Sequence, residues 1–362
     1  MTKKKILHIT SSLKMGGAET VLYTLITNLK EYDHEVIYLH DGPFVQKLRD
    51  AQIPLHHVRG LVSSYDPMFF LRVIKQVKKI KPDYIHSLLW LGNCAAIIAG
   101  RLLSIPVVST FHNNVDQNGN VRNKIDRLLL PYAQKLVAVS DQVKQSVYHQ
   151  HPRLRKDIAV IRNGISCERL QQDSHTAQKT RAALGIPDGA FLFGSVGRFE
   201  AVKRYDYLIS IFAKLHARHP DTYLLLIGVG SQSDYLKKCA QESGAGTHIV
   251  FIEGQQAIGY YSLLDCFIQS TAKEGISMAL LEAMGLGIPC VVTNEGKKHE
   301  VVLDGENGFV VDAHDALAFE KALESILINN DLARKFACNG RTRIYEDFDL
   351  NFTLKSYDSL FV

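Results

Sequence analysis

Cysteine is sparse and unpaired in this sequence. The six cysteines, at 94, 167, 239, 266, 290 and 338, are scattered with no C-x2-C, and several stand in apolar runs. That excludes a disulfide framework and a Cys-type zinc site, and it reads as the reduced thiols of a cytoplasmic protein. Long hydrophobic runs are also missing. The nearest approach, residues 95–103, is broken by Arg101 and falls short of the roughly 18–20 apolar residues a membrane-spanning helix needs. The basic start of the chain leads into only a short apolar run before Ser11 and Ser12, which predicts a first β-strand rather than a signal peptide. There is no low-complexity tract, no complete G-x-G-x-x-G, no Ser-His-Asp or Cys-His arrangement and no nucleic-acid-binding motif. Nicotinamide chemistry, covalent catalysis by those nucleophiles and nucleic-acid partners therefore lack support.

What is present is an ordinary globular composition, 46% hydrophobic and 22% charged, over 362 residues, too long for one comfortable core and suited to two domains. Charge is uneven. Residues 1–165 carry 23 Lys and Arg against 12 Asp and Glu, and the remainder 19 against 25. A basic first half favours anionic surfaces such as lipid headgroups or phosphorylated acceptors.

Short β-branched runs alternate with helical patterns, which predicts parallel sheets in an α/β protein. Strands are expected at 5–10, 35–39, 55–58, 84–87, 107–111, 135–139 and 158–161, then at 191–196, 223–227, 248–251, 266–269, 290–293 and 308–310. Helices among them include 19–30, 67–80 and 93–103. The polar segment 171–189 marks a boundary, giving domains of 1–168 (with a closing helix at 350–362) and 169–349. These are two doubly wound domains in series, whose ligands bind at the carboxyl ends of strands, so a cleft between the domains is the expected site.

Four features sit at such ends. After the first strand, Gly16-Gly17 permits close backbone approach to a ligand just before a helix, or is a plain tight turn. Ser109-Thr110-Phe111-His112 puts a histidine at a strand end, as ligand contact or as structural histidine. After 191–196, Arg198 and Lys203 can converge on a diphosphate, the one as a planar fork and the other as a point charge, or be a solvated basic loop. Gly228-Val229-Gly230 reads as a backbone turn lining the cleft. The most informative stretch is 273–285, where Glu274 and Glu282 stand eight positions apart, one outside a helix start and one inside it. Ile276, Ser277 and Met278 between them would offer free N–H groups to a phosphate, each carboxylate taking hydroxyls. Alone, such a pair is a capping acid and an exposed Glu. Asp347-Phe348-Asp349 resembles a metal-binding D-x-D but lies outside any strand end. His149 and His151 fall in a polar loop, and His56-His57 has no acid nearby.

Together, Gly16-Gly17, His112, Asn163-Gly164-Ile165, Arg198 with Lys203, and Glu274-x7-Glu282 resemble, in that order and over nearly the whole chain, the family-4 (group 1) retaining glycosyltransferases of the GT-B fold. Residues 274–289, EGISMALLEAMGLGIP, carry the likeness most specifically. The resemblance implies two facing Rossmann-like domains with the last helix crossing back to the first. It implies that Arg198 and Lys203 neutralise the leaving diphosphate, Glu282 holds the ribose, Glu274 the donor sugar, His112 faces the sugar and Gly16-Gly17 approaches the phosphate. The expected reaction moves a hexose or N-acetylhexosamine from a nucleotide sugar, UDP-sugar favoured, to a glycan or lipid-linked glycan, without a metal, at the inner face of the cell membrane. Two positions depart from the family: Ile276 stands where an aromatic is usual, and Lys297 where a second glycine precedes the acid Glu300. Other readings are a nucleotide-sugar epimerase or hydrolase of the same fold, and a non-catalytic homologue acting as a binding partner. Basic, partly apolar helices (Met68 to Lys81; Arg122 to Leu130) suit peripheral contact with anionic membrane, or are solvated basic helices.

Overall fold

The computed structural model describes residues 3–361 apart from 15, 62, 64, 114, 116–118, 177–179, 255–256, 272–275 and 295–298. The chain forms two compact units, 1–163 with 351–362, and 164–350. In the first, β1 (Lys5–Ser12), β2 (Asp33–His40), β3 (Leu55–His57), β4 (Tyr84–Leu88), β5 (Val107–Phe111), β6 (Lys135–Ala138) and β7 (Ile158–Val160) build a parallel sheet in the order 3-2-1-4-5-6-7. In the second, β8 (Phe191–Val196), β9 (Thr222–Ile227), β10 (Ile249–Ile252), β11 (Cys266–Gln269), β12 (Cys290–Asn294) and β13 (Phe309–Asp312) build another, in the order 10-9-8-11-12-13. Each strand expected from the sequence is there. The reason is the run type: every residue of β5 and β12 is buried, as strands covered by helices on both faces must be.

The units divide between Asn163 and Gly164 and between Leu350 and Asn351, where the sequence suggests 168/169 and 349/350. Ile165 already belongs to the second unit, because its N–H bonds the Phe348 carbonyl at 2.9 Å and its carbonyl accepts from Leu350 N–H at 3.0 Å. The helix Pro67–Ile80 shows how local chemistry sets an element. Asp66 caps it by accepting from Met68 N–H at 2.9 Å, proline opens it, and Lys81 ends it in the left-handed region at φ 52°. Phe69, Val73, Val77 and Ile80 face the core, while Lys75, Lys78 and Lys79 face out. No helix among the described residues is long and apolar enough to cross a membrane. His56 has an acid after all: Glu35 on the adjacent β2 lies 2.7 Å from its Nε2, a partner that only sheet pairing reveals.

One feature of the first unit was not legible in the sequence. Four neighbouring strands, β2, β1, β4 and β5, contribute His34, His8, His86 and Thr110 to a single buried row. His34 Nε2 faces the Leu29 carbonyl at 2.8 Å, its Nδ1 meets His8 Nε2 at 2.9 Å, His8 Nδ1 meets His86 Nδ1 at 3.0 Å, and His86 Nε2 meets Thr110 Oγ1 at 3.1 Å. The row ends on the Tyr357 hydroxyl, 3.3 Å from Thr110, in the closing helix Leu350–Asp358. A carbonyl only accepts, so in neutral rings His34 carries its proton on Nε2, His8 then on Nε2, and His86 on Nδ1. Thr110 donates to His86 and Tyr357 to Thr110, so every donor has an acceptor. Burial lowers the pKa of all three imidazoles, His86 to about 3 with help from His112 and His34, and His8 also through His34 and His86. A second proton on His34 Nδ1 or His8 Nδ1 would set two N–H groups face to face, and one on His86 Nε2 would require the Thr110 hydroxyl to turn and accept it.

Two outcomes follow. Thr110→Val keeps the shape but orphans His86 Nε2 and the Tyr357 hydroxyl, at about 1–3 kcal/mol each; urea unfolding checks the cost, and faster hydrogen exchange in 350–358 checks the docking. A histidine with depressed folded pKa takes its proton first in the unfolded chain, so its contribution falls as pH drops below about 6.5. At pH 5 His86 alone then costs about 2 kcal/mol, and His86→Phe should flatten the pH slope of unfolding by close to one proton.

Candidate active site

In the second unit the order 10-9-8-11-12-13 reverses direction between β8 and β11, the place where doubly wound sheets leave room for ligands. Both strands deliver predicted site residues at their carboxyl ends. After β8, Phe199 is fully buried, edge-on to Tyr205 at 5.3 Å and Phe251 at 6.1 Å. This anchors the loop so that the preceding Arg198 stands exposed. A one-turn 3-10 helix, Ala201–Lys203, follows, and Lys203 folds back so that its Cε lies 3.6 Å from where a Gly197 Cβ would be. Arg204 has another task. In the left-handed region at φ 52°, it donates to the Ala313 carbonyl at 2.6 Å and lies over Tyr207, fixing the start of the next helix.

Gly228 and Gly230 serve this loop. A Cβ on Gly228 would fall 1.9 Å from the Gly197 carbonyl oxygen, and one on Gly230 2.3 Å from that of Phe199. The Gly-x-Gly after β9 thus lets two loop backbones touch, joined by Phe199 N–H to Val229 O at 3.0 Å. The Glu200 carboxylate adds bonds to Ser231 N–H and hydroxyl at 3.1 and 2.7 Å.

The loop after β11 is tied to the cation turn by Ser270, whose hydroxyl donates to the Lys203 carbonyl at 2.7 Å. Glu274 lies outside the described residues, as do Lys273 and Gly275. Ile276 is buried in the core of the second unit, an apolar anchor in keeping with its aliphatic side chain. Ser277 is the cap residue of the helix Met278–Gly285, yet its side chain makes no capping bond and no acid occupies the first turn. The leading N–H groups of Met278 and its successors are therefore left for another acceptor. Glu282, on that helix, accepts from the fully buried Tyr261 hydroxyl at 2.7 Å. The residue is partly exposed, but its carboxyl head is enclosed, and burial pushes its pKa up to about 7 against the opposing pull of that bond.

In the first unit, Gly16 and Gly17 open the helix Gly17–Asn28 after β1, at the corresponding reversal between β1 and β4. The Gly16 carbonyl accepts from Thr20 N–H and hydroxyl, both at 3.0 Å. The Glu19 carboxylate folds back over the glycine, its Oε2 2.5 Å from a Cβ built there, so an anion at this turn requires Glu19 to move aside. His112 follows β5, buried with no hydrogen-bond partner for Nε2 among the described residues. Burial lowers its pKa to about 4, which makes it a neutral imidazole. Asp347 pairs with Arg343 at 2.8 Å, a structural use of the D-x-D. Sequence reasoning missed Tyr261, Ser270 and the structural role of Arg204. Only Ser270 left a trace, as a hydroxyl directly after an apolar strand.

Family models match on both units: the Glycosyltransferase Family 4 model over residues 15–169 and the Glycosyl transferases group 1 model over 176–343. The chain belongs to the family-4, group 1 glycosyltransferases. Among relatives of this glycosyltransferase, the N-acetyl-alpha-D-glucosaminyl L-malate synthase of Bacillus anthracis is 23% identical across 98% of this chain and 95% of its own. The capsular polysaccharide biosynthesis glycosyltransferase CapM of Staphylococcus aureus is 24% identical across 92% and 86%. Anabaena Alr3699/HepE, solved with UDP and glucose, superposes with a TM-score of 0.86 at 20% identity over 99% of both chains. The fold is therefore that of the GT-B glycosyltransferases expected from the sequence.

Glu282 offers a stability test. Its raised pKa means the folded state holds a proton that the unfolded chain has already released, so stability falls as pH rises from about 4.5 to about 7. Glu282→Gln keeps an acceptor for Tyr261 without the charge. The glutamine variant should match the wild type at pH 4.5 and exceed it by about 2–3 kcal/mol at pH 8. A constant difference across that range in urea titrations would reject the assignment.

Proposed function

We propose that this glycosyltransferase moves a hexose or N-acetylhexosamine from a nucleoside diphosphate sugar, UDP-linked by preference, to a lipid-linked glycan in surface polysaccharide assembly, with retention of anomeric configuration and without a metal. The observation that carries the reading is the carboxyl edge of the second sheet, where Ser270 ties the loop after β11 to the Lys203 carbonyl and an uncapped helix start follows that loop in sequence. Breaking the glycosyl–phosphate bond leaves negative charge on the diphosphate. Arg198, Lys203 and the N–H groups at 277–279 are the positive groups that would stabilise it. HepE, the structural neighbour, binds UDP and glucose, and the capsular relative supports the polysaccharide setting.

In this reading Glu282 accepts from the ribose hydroxyls and Glu274 from those of the donor sugar. Ile276, Ser277 and Met278 supply backbone to the phosphates, Gly16-Gly17 a close approach, and neutral His112 a contact near the anomeric carbon. The bond from that carbon to the phosphate oxygen breaks, the acceptor oxygen bonds the carbon from the same side, and the acceptor's proton passes to the departing phosphate. The route differs from the two-carboxylate displacement of glycosidases. Peripheral membrane contact would use exposed Met68 and Leu71 with Lys75, Lys78, Lys79 and Lys81. In the other basic segment Leu128 is exposed but Leu130 is buried, which narrows the apolar face available there.

Lys203→Ala should weaken UDP binding about 10- to 100-fold, the scale of one charge-assisted bond, and unchanged affinity by calorimetry would remove it from the diphosphate. Glu274→Ala should abolish transfer with the melting temperature retained. Turnover of UDP-sugar that needs no acceptor would point to hydrolysis or epimerisation instead. Full loss of activity in EDTA would refute the metal-free route.

A further inference from the structure

The first unit holds a cavity of about 680 Å³, lined by residues 126–127, 130–131 and 151–156, a size suited to a small ligand. Most of its lining precedes β6 and β7, at the amino edge of the sheet, whereas His112 follows β5 at the carboxyl edge. Two buried titratable side chains line it, Asp126 at 4% exposure and His151 at 3%. Asp126 Oδ1 accepts from Trp90 Nε1 at 2.9 Å. Its Oδ2 and both ring nitrogens of His151 have no hydrogen-bond partner among the described residues. Asp126 Oδ2 and His151 Nε2 are 3.8 Å apart, too far to bond each other but close enough for one hydroxyl to bridge, donating to the carboxylate and accepting from the ring. The mouth is basic: Arg127, Arg153 and Arg155 are exposed, and among the described residues none is in an ion pair. Lys156 is occupied, its ammonium bonding the Ala133 carbonyl. A water molecule would satisfy the buried pair, but it gives no use to three guanidiniums, whose planar forks match phosphate oxygens.

We propose that this cavity is a binding site for a phosphorylated polyol, with the phosphate on Arg153, Arg155 and Arg127 and a hydroxyl bridging Asp126 and His151. The same chemistry is offered by a free polyol phosphate and by a phosphoglycerol lipid headgroup. Exposed Leu128 and Tyr132 stand beside the mouth in sequence and would meet the lipid if that is the source. The site is independent of the donor chemistry, and its failure would leave that reading intact.

Trp90 is the single tryptophan of the chain and touches Asp126, so its emission reports on the cavity. With the full chain saturated in UDP, sn-glycerol 3-phosphate should change Trp90 emission saturably, and more tightly than inorganic phosphate. Arg153→Ala with Arg155→Ala should weaken both by about tenfold or more. Asp126→Asn, which keeps the oxygen for Trp90, should leave phosphate binding in place and erase the preference for glycerol phosphate. Competition from phosphatidylglycerol vesicles, absent with phosphatidylcholine, identifies a lipid source; no competition identifies a free metabolite. The proposal is overturned if no probe binds saturably, or if binding is the same in the double arginine variant and in Asp126→Asn.

Discussion

Both sheets are parallel and covered on both faces, and that constraint governs where polar chemistry can sit. A polar side chain inside such a sheet must either reach the open end of a strand or find every partner within the core. The first unit shows the second solution. Its histidine row crosses four strands and closes on Tyr357 without an unpaired atom, and in neutral rings this fixes the proton of each on one stated nitrogen. The circuit also explains why the chain returns to the first unit. Without residues 351–362 the row would end on a Thr110 oxygen with no donor from Tyr357, and the aromatic rings of Tyr357 and Phe361, edge-on to His86 at 5.5 and 6.2 Å, would be missing from that face.

Strand ends are the first solution, and both units use them at the same topological place. Gly16-Gly17 follows β1 and Arg198 follows β8, each the strand beside which the order reverses. The second unit adds construction that a loop alone could not supply. Phe199 below, Gly228 and Gly230 alongside and Ser270 after the neighbouring strand fix the Arg198–Lys203 backbone from three directions, so little backbone entropy would remain to be lost to the anion proposed there. Arg204 illustrates selectivity among adjacent cations: three basic residues lie within seven positions, and the backbone turn commits one of them to Ala313 and Tyr207.

The fold was legible in the sequence because parallel strands write themselves as short runs rich in β-branched and other apolar residues, and thirteen such runs needed no tertiary knowledge. The cation pair and the Glu-x7-Glu stretch were legible because strand-end position can be counted. What escaped depended on partners distant in sequence. His8, His34 and His86 look like unrelated residues until strand order places them side by side. His151 read as part of a polar loop, yet folding buries it against Asp126, twenty-five positions earlier, and Glu35 reaches His56 only through the pairing of β2 with β3. Tyr261 left no signal, since its use is one hydroxyl aimed at Glu282.

That hydroxyl changes what Glu282 can do. An ordinary surface glutamate at neutral pH is a fixed negative charge, and close to a diphosphate it would oppose binding. Enclosed as it is, with a pKa of about 7, Glu282 is close to half protonated before any ligand arrives. On the proposed function a ribose diol would bring two donors to a carboxyl that already has one from Tyr261, and three donors would favour the ionised form. On that proposal the proton would leave as the nucleotide binds, so that the charge becomes full where hydroxyls bond it and is only about half present without them. The helix start a turn earlier would keep its positive end for the proposed phosphate, and one eight-residue helix could in this way serve a sugar hydroxyl pair and an anion without setting them against each other.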